Sequence, residues 1–132
     1  MDRLFLDANV LFSAAWREES GLLRLWKLPG AELVSSAYAV EETRRNISDT
    51  EARARLEALL GETTIVAEGS LAELSPNLTL APKDRPILAG AIHAGATHLV
   101  TGDRKDFGKL FGRRIGGVLI LRPADYFRSR QR

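Results

Sequence analysis

Five short apolar runs, separated by segments with helical periodicity, place the strongest constraint on the fold of this chain. The runs are RLFLD (3–7), AELVSS (31–36), TTIVA (63–67), THLV (97–100) and GGVLIL (116–121). Apolar residues at successive positions are typical of strands that are buried on both faces. Because such strands alternate with helices here, we predict a three-layer α/β/α fold with a central, mostly parallel sheet of about five strands.

The segments between these runs carry apolar residues at helical spacing. We predict a loop with one helical turn over residues 68–83, and helices over 9–16, 20–28, 37–46, 50–61, 84–95 and 123–130. In the helix 84–95, Asp84 is the predicted N-cap, Pro86 lies in the first turn and Gly95 ends the helix. The length of 132 residues suits one domain, 1–132, with an ordinary core.

Composition excludes several classes of protein. The chain has no cysteine, which excludes disulfides and thiolate metal sites and favours an intracellular protein. Its first residues include Asp2 and Asp7, unlike the basic start of a signal peptide. No apolar run approaches the ~18 residues of a membrane span. We therefore expect a cytoplasmic protein with no membrane association.

The charge of the chain is unevenly distributed. Residues 104–132 contain nine Lys or Arg but two Asp, whereas the whole chain has a net charge of only +2. A basic C-terminal end attracts polyanions such as RNA. The same charges also serve as a solubilising surface, and the sequence leaves both interpretations open.

Acidic residues follow two of the predicted strands. Asp7 ends the first strand and Asp103 follows the fourth, so both lie at the carboxyl edge of a parallel sheet, where α/β proteins bind ligands. Asp84 opens the helix that leads into the fourth strand, and Asp106 lies close behind Asp103. Taken singly, these acids are explained as helix caps, turn residues or solvent-exposed charges. Taken together, they would repel one another unless a cation neutralises them, and oxygen ligands without His or Cys suit Mg²⁺ or Mn²⁺.

Basic residues stand beside these acids. Lys83 and Arg85 flank Asp84, and Arg104 and Lys105 follow Asp103. One interpretation is local charge balance. The other is that Arg85, Arg104 and Lys105 contact the phosphates of RNA while the acids hold a metal ion.

Three segments carry a resemblance to a known family: FLDANVLFSA (5–14), SSAYAVEETRRNI (35–47) and KDRPILAGAIHAGATHLVTGDRKDF (83–107). Over nearly its whole length the chain resembles the PIN domain family, small metal-dependent ribonucleases that include VapC-type toxins. The resemblance implies a PIN-like fold and four catalytic acids, which fall on Asp7, Glu42, Asp84 and Asp103. It also implies a metal site in which Asp106 joins the aspartates of this set.

The resemblance extends to supporting residues and partners. Asn9 and Thr101 match small polar residues that orient the acids. Helical periodicity does not choose between Glu41 and Glu42, but the spacing from Ser36 in the family pattern favours Glu42. The implied function is a Mg²⁺- or Mn²⁺-dependent endoribonuclease that cuts single-stranded or structured RNA, with a toxin role, a small antitoxin partner and a homodimer as further expectations.

Other functions fit the residues less well. The principal alternative is a non-catalytic RNA- or protein-binding module on the same fold. A phosphatase of the haloacid dehalogenase type would place Asp where Asn9 stands, and a receiver domain would carry Asp after the third strand, where the chain has TTIVAEGS. The glycine-rich phosphate loops and the G-x-S-x-G nucleophile elbow do not occur in the sequence.

Overall fold

A computed structural model of the protein describes residues 1–131, except for the side chain of Glu73. Arg132, the last residue of the basic tail, lies outside the described residues. The strands are β1 (Asp2–Leu6), β2 (Ala31–Ser36), β3 (Thr64–Val66), β4 (His98–Val100), β5 (Arg114–Ile115) and β6 (Val118–Leu121). The α-helices are α1 (Ala8–Trp16), α2 (Ala37–Asn46), α3 (Thr50–Leu60), α4 (Arg85–His93), α5 (Arg104–Phe107) and α6 (Pro123–Arg130). Three 3₁₀ helices cover Gly21–Lys27, Leu71–Glu73 and Gly108–Leu110.

All six strands join one sheet in the order β3-β2-β1-β4-β6-β5. The pairs formed by β1, β2, β3, β4 and β6 are parallel, whereas β5 is antiparallel to β6. The prediction of an α/β fold with a mostly parallel central sheet is confirmed. The predicted strand number of five is too low by one, because β5 was not expected.

The extra strand belongs to a hairpin that was predicted as a single strand, 116–121. Gly116 and Gly117 have φ angles of 57° and 85°, and positive φ at both central residues is the mark of the tight turn that suits antiparallel strands. These two glycines therefore form the turn, and β6 begins only at Val118. A Cβ added to Gly116 would lie 2.8 Å from Ile92 Cδ1, so α4 packs closely against this turn.

Two further local differences concern helices. The segment predicted as a helix over 20–28 is a 3₁₀ helix, Gly21–Lys27, in which Ser20 accepts a hydrogen bond from the N–H of Leu22 at 3.3 Å. The short helix α5 was not predicted, because four residues are too few to show a periodicity. It matters for the site, since it begins directly after Asp103.

The core lies on both faces of the sheet, which explains why its strands are apolar throughout. Leu4 and Leu6 of β1 point into one cluster, and Phe5 points into the other. All three side chains are fully buried. The first cluster includes Val10, Leu11, Leu56 and Tyr126, and the second includes Val34, Ile87, Leu88, Phe107 and Ile120.

The order of the strands creates a crevice at the carboxyl edge. From β1 the chain moves outward to β2 and β3, and it then returns to place β4 on the other side of β1. Such a reversal is where open α/β sheets bind ligands, because the loops after the two adjacent strands diverge. Leu6 pairs with Val100, so the residues that follow each strand emerge side by side. Because α4 leads into β4 through a short turn, the first residue of α4 lies at the same edge.

Among residues 1–131, none of the helices combines the length and the apolar character needed to span a bilayer.

Candidate metal centre

Asp7 is the buried acid at the end of β1. Its backbone N–H donates to Val100 O at 3.1 Å, and its Oδ1 caps α1 by accepting from the N–H of Ala8 at 2.7 Å. Its Oδ2 accepts from Thr101 Oγ1 at 2.8 Å and from Asn9 Nδ2 at 3.2 Å. The interpretation of Asp7 as a helix cap is therefore correct, but only one of its two oxygens performs this role.

Asn9 and Thr101 tie the loop after β4 to the start of α1. Asn9 Nδ2 also donates to Thr101 Oγ1 at 3.1 Å, and Asn9 Oδ1 accepts from the N–H of Gly102 at 2.9 Å. Thr101 Oγ1 in turn accepts from the N–H of Asp103 at 3.2 Å. This network fixes the position of Asp103 relative to Asp7, which is the geometry expected of two supporting residues.

Burial raises the pKa of Asp7 to about 6, and this is the largest influence on the carboxyl. The negative charges of Glu42 and Asp103 also contribute to this raised pKa, whereas the hydrogen bonds from Thr101 and from the N–H of Ala8 oppose it. The carboxylates near Asp7 thus act as a group, as the topology of the sheet predicts.

Three other acids form a close group that does not include Asp7. Asp84, Asp103 and Asp106 each offer a carboxylate oxygen, and these oxygens lie within 4.8 Å of one another. Asp103 is the N-cap of α5 and accepts from the N–H of Asp106 at 3.1 Å. We call these three residues the acidic centre. Asp7 lies outside this close group, so its role as a metal ligand stays a prediction.

Asp84 occupies the N-cap position of α4, but its side chain forms no capping hydrogen bond. The typical cap bond uses the N–H of the second or third helical residue. The second is Pro86, which has no N–H, and the third, Ile87, donates to the backbone oxygen of Asp84 at 3.2 Å. Asp84 is thus the N-cap residue, as predicted, but its side chain forms no cap bond and the carboxylate is left for another role.

One oxygen of the Asp84 carboxylate is buried without a hydrogen-bond donor among the described residues. The residue is 6% exposed, and among the described residues its Oδ2 finds no hydrogen-bond partner. Burial, followed by the hydrogen bond shared with the Asp106 carboxyl, raises the pKa of Asp84 to about 7. A buried oxygen that lacks a partner is costly. It points into a group of carboxylates, where a cation would satisfy it.

The donor set fits a hard divalent ion. Three carboxylates converge, one of them with a buried free oxygen, and the chain has no cysteine. Oxygen ligands of this kind favour Mg²⁺, Mn²⁺ or Ca²⁺ over the softer metals.

Glu42 faces the same region from α2. It lines a groove together with Asn9, Phe12 and Thr43, and its charge contributes to the raised pKa of Asp7. Glu41 is exposed and does not line this groove. The geometry therefore favours Glu42 over Glu41 as the glutamate of the site.

The bases predicted to contact RNA phosphates differ in their availability. Arg85 donates to Ser75 O at 2.9 Å and to Leu78 O at 3.2 Å, so its guanidinium holds the loop before α4 rather than facing a substrate. Arg104 and Lys105 are exposed and line a groove that also includes Asp106. Only these two remain suitable for phosphate.

Lys83 is the residue whose importance the sequence did not reveal. Its Nζ lies 2.7 Å from Asp106 Oδ2 and 3.8 Å from Asp84 Oδ2. The hydrogen bond from Lys83 holds the pKa of the Asp106 carboxyl below its usual range. The available signal was its position next to Asp84, which local charge balance explained equally well.

Three arginines of the basic C-terminal segment form ion pairs within the fold. Arg122 and Arg128 both pair with Asp125 at 2.9 Å, and Arg130 pairs with Asp2 at 3.6 Å. Because Asp2 begins β1, this end of α6 lies at the amino edge of the sheet, away from the acidic centre.

The fold and the site together define an α/β domain with an acidic centre at the carboxyl edge of its sheet. The PIN domain family profile matches residues 3–105, and the chain belongs to the PIN domain family. No curated protein sequence matches the chain.

Solved structures share its fold at low sequence identity. VapBC2 from Rickettsia felis, bound to a DNA fragment from its promoter, matches with a TM-score of 0.69 and 17% identity over 91% of this chain and 98% of that one. VapC20 from Mycobacterium tuberculosis, a toxin that cleaves the sarcin-ricin loop, matches with a TM-score of 0.57 and 16% identity over 80% and 93% of the two chains. VapBC-1 from nontypeable Haemophilus influenzae matches with a TM-score of 0.55 and 15% identity, over 91% of this chain and 97% of that one.

Proposed function

We propose that this PIN domain is a Mg²⁺- or Mn²⁺-dependent endoribonuclease that hydrolyses single-stranded or structured RNA. The observation that carries the proposal is the acidic centre: three carboxylate oxygens lie within 4.8 Å of one another, and a buried Asp84 oxygen has no partner in residues 1–131. This oxygen has no capping role, because the side chain of Asp84 forms no hydrogen bond with the backbone at the start of α4.

Each acid has a distinct part in this proposal. Asp84, Asp103 and Asp106 would hold the divalent ion, which when bound stabilises negative charge on the phosphate and activates water. Asp7 is the fourth predicted ligand, and it also positions Thr101 and Asn9 through the hydrogen bonds described above. Glu42, across the crevice, orients the attacking water.

The reaction is the hydrolysis of a phosphodiester bond. The oxygen of a water molecule bonds to phosphorus, and the bond from phosphorus to the leaving ribose oxygen breaks. The water loses a proton to a carboxylate or to solvent, and the leaving oxygen gains one. Arg104 and Lys105, which line the groove beside Asp106, bind neighbouring phosphates of the strand.

The test compares cleavage of a mixture of single-stranded RNAs by the wild type, Asp103→Asn and Asp84→Asn, each with Mn²⁺ or with EDTA. We expect both substitutions to lower the rate at least about 100-fold, and EDTA to abolish it. Asp49→Asn is the matched control, since Asp49 is an exposed N-cap of α3 and its loss leaves the acidic centre intact. Thermal unfolding shows whether each variant is folded.

Two results would argue against the nuclease. Cleavage that persists in EDTA or in Asp103→Asn comes from another source, such as a contaminating enzyme. RNA that is bound with a steep salt dependence but never cut favours the non-catalytic binding module.

We also propose that the chain is the toxin of a toxin–antitoxin pair and forms a homodimer in the cytoplasm. The structural neighbours support the pairing, because two are VapBC proteins and one is a toxin. Trp16, which is 49% exposed and stacks on Phe12 with ring centroids 5.4 Å apart, offers an apolar contact for a partner. Light scattering during gel filtration tests the dimer. Co-expression with a short neighbouring reading frame tests the antitoxin, since toxicity should disappear when the partner is present.

A further inference from the structure

Lys83 places a positive charge inside the acidic centre. Its Nζ is 2.7 Å from Asp106 Oδ2 and 3.8 Å from Asp84 Oδ2, so it contacts two of the three carboxylates that a divalent ion would use. Asp103 also acts on it, and hydrogen bonding with Asp106 raises the pKa of the ammonium. Within residues 1–131, Lys83 is the basic residue that forms ion pairs with Asp84 and Asp106.

A divalent ion and the Lys83 ammonium compete for the same oxygens. A cation held by Asp84 and Asp106 would repel an ammonium only 2.7 Å from one of its ligands. Lysine is able to move aside, because its charge ends a flexible four-carbon stem and its side chain is 65% exposed. The acids, by contrast, are held by the sheet, by α4 and by α5.

The backbone of Lys83 keeps the displaced ammonium near the centre. Tyr38 Oη donates to Lys83 O at 2.8 Å, which fixes this part of the chain against α2. The ammonium therefore moves by rotation of its side chain and stays at the mouth of the crevice. When a phosphate approaches the acidic centre, the displaced Lys83 ammonium would be close enough to pair with it.

We propose that Lys83 has two states: in the metal-free protein it is the counter-ion of Asp84 and Asp106, and in the metal-loaded protein it binds the scissile phosphate. The inference rests on the proposed ribonuclease function and adds a phosphate-binding residue to it. The other bases serve less well, because Arg85 is held by loop carbonyls, and Arg104 and Lys105 form no ion pair with the acidic centre among the described residues.

The first measurement does not depend on cleavage of RNA. Binding of Mn²⁺ to the metal-free protein is followed by calorimetry for the wild type, Lys83→Met and Lys83→Arg. Lys27→Met is the matched control, since Lys27 is exposed and precedes β2 at the amino edge of the sheet. We expect Lys83→Met to bind Mn²⁺ about 3- to 10-fold more tightly, because the competing charge is gone. Lys83→Arg and Lys27→Met should resemble the wild type.

The second measurement is the affinity for a fluorescent single-stranded RNA, determined by anisotropy in EDTA and in Ca²⁺, a divalent ion that also binds carboxylate oxygens. In Ca²⁺ we expect Lys83→Met to bind RNA about 10-fold more weakly than the wild type, and in EDTA to bind it equally well. In EDTA the lysine is engaged by the carboxylates and contributes nothing to RNA binding. Cleavage at saturating Mn²⁺ should fall in Lys83→Met and recover in part in Lys83→Arg.

The outcomes separate this inference from the nuclease proposal. Equal RNA affinity of Lys83→Met and the wild type in Ca²⁺ overturns the phosphate contact, and unchanged or weaker Mn²⁺ binding overturns the counter-ion state. If the wild type binds RNA in Ca²⁺ but cuts none in Mn²⁺, the nuclease proposal alone fails and Lys83 is still judged by its two binding tests. If the wild type binds no RNA, both proposals fail.

Discussion

The buried charge of Asp7 should make the metal-free protein less stable at neutral pH, and Asp7→Asn should therefore stabilise it. Asp7 is 3% exposed, and its pKa is raised from 3.8 to about 6. A raised pKa means that the folded state holds the proton more tightly than the unfolded chain. The contribution of this carboxyl to stability is fully present below about pH 4 and is lost as the pH rises through about 6.

The size of the effect follows from this difference in pKa. The difference in pKa corresponds to a loss of about 3 kcal/mol in the free energy of unfolding above pH 7. The substitution also has a cost, because the new amide group faces two donors, the Thr101 hydroxyl and Asn9 Nδ2, from which Asp7 Oδ2 accepts at 2.8 Å and 3.2 Å. Two lost hydrogen bonds amount to about 2 kcal/mol. We expect a net gain of about 1 kcal/mol at pH 8, or about 3 °C in Tm for a domain of this size.

The assay is urea unfolding in EDTA at several values between pH 4 and pH 8, for the wild type, Asp7→Asn and Asp49→Asn. The gain of Asp7→Asn should shrink steadily as the pH falls and vanish or reverse at pH 4. Asp49→Asn makes the same chemical change at an exposed helix cap, so it should show no such gain. A difference between Asp7→Asn and the wild type that is the same at pH 4 and pH 8 would refute the reasoning, because it would reflect hydrogen bonding alone.

Three further predictions concern packing and the metal. Tyr126→Phe removes the 2.7 Å hydrogen bond from the tyrosine Oη to Asp2 Oδ2, so it should lower the free energy of unfolding by about 1 kcal/mol. An unchanged midpoint in urea unfolding would contradict this prediction. Gly116→Ala should lower the free energy of unfolding clearly more than Gly117→Ala, since both glycines have positive φ but only a Cβ at position 116 would clash with Ile92. Equal losses of stability would show that backbone strain alone sets the cost. Mn²⁺ at about 100 times its Kd should stabilise the wild type by about 2.7 kcal/mol, and a Tm insensitive to Mn²⁺ would argue against the metal centre.

Patterns that repeat along the chain were predictable from the sequence. The central strands are recognisable because burial on both faces requires apolar residues at successive positions, as in Leu4, Phe5 and Leu6. The two-residue strand β5 is too short to show a pattern, although the adjacent Gly116 and Gly117 are a known hairpin signal. The 3₁₀ helix Gly21–Lys27 has apolar spacing close to that of an α-helix, so periodicity alone did not separate the two.

The sequence by itself determined which acids could meet. Asp7 and Asp103 follow strands, and Asp84 begins the helix before β4, so a parallel sheet brings all three to one edge whatever the details of packing. What only the tertiary structure decided is which groups touch. It brings Asp106 into the acidic centre and buries an Asp84 oxygen that has no hydrogen-bond partner within residues 1–131.

The structure also decided the roles of the neighbouring bases and of the glutamates. Arg85 turns to loop carbonyls, Lys83 turns to the carboxylates, and Glu42 rather than Glu41 lines the crevice. These choices depend on side-chain rotation and on the packing of distant segments. Charge order along the chain does not encode them, because residues next to each other in sequence can point to opposite sides of the same helix or loop.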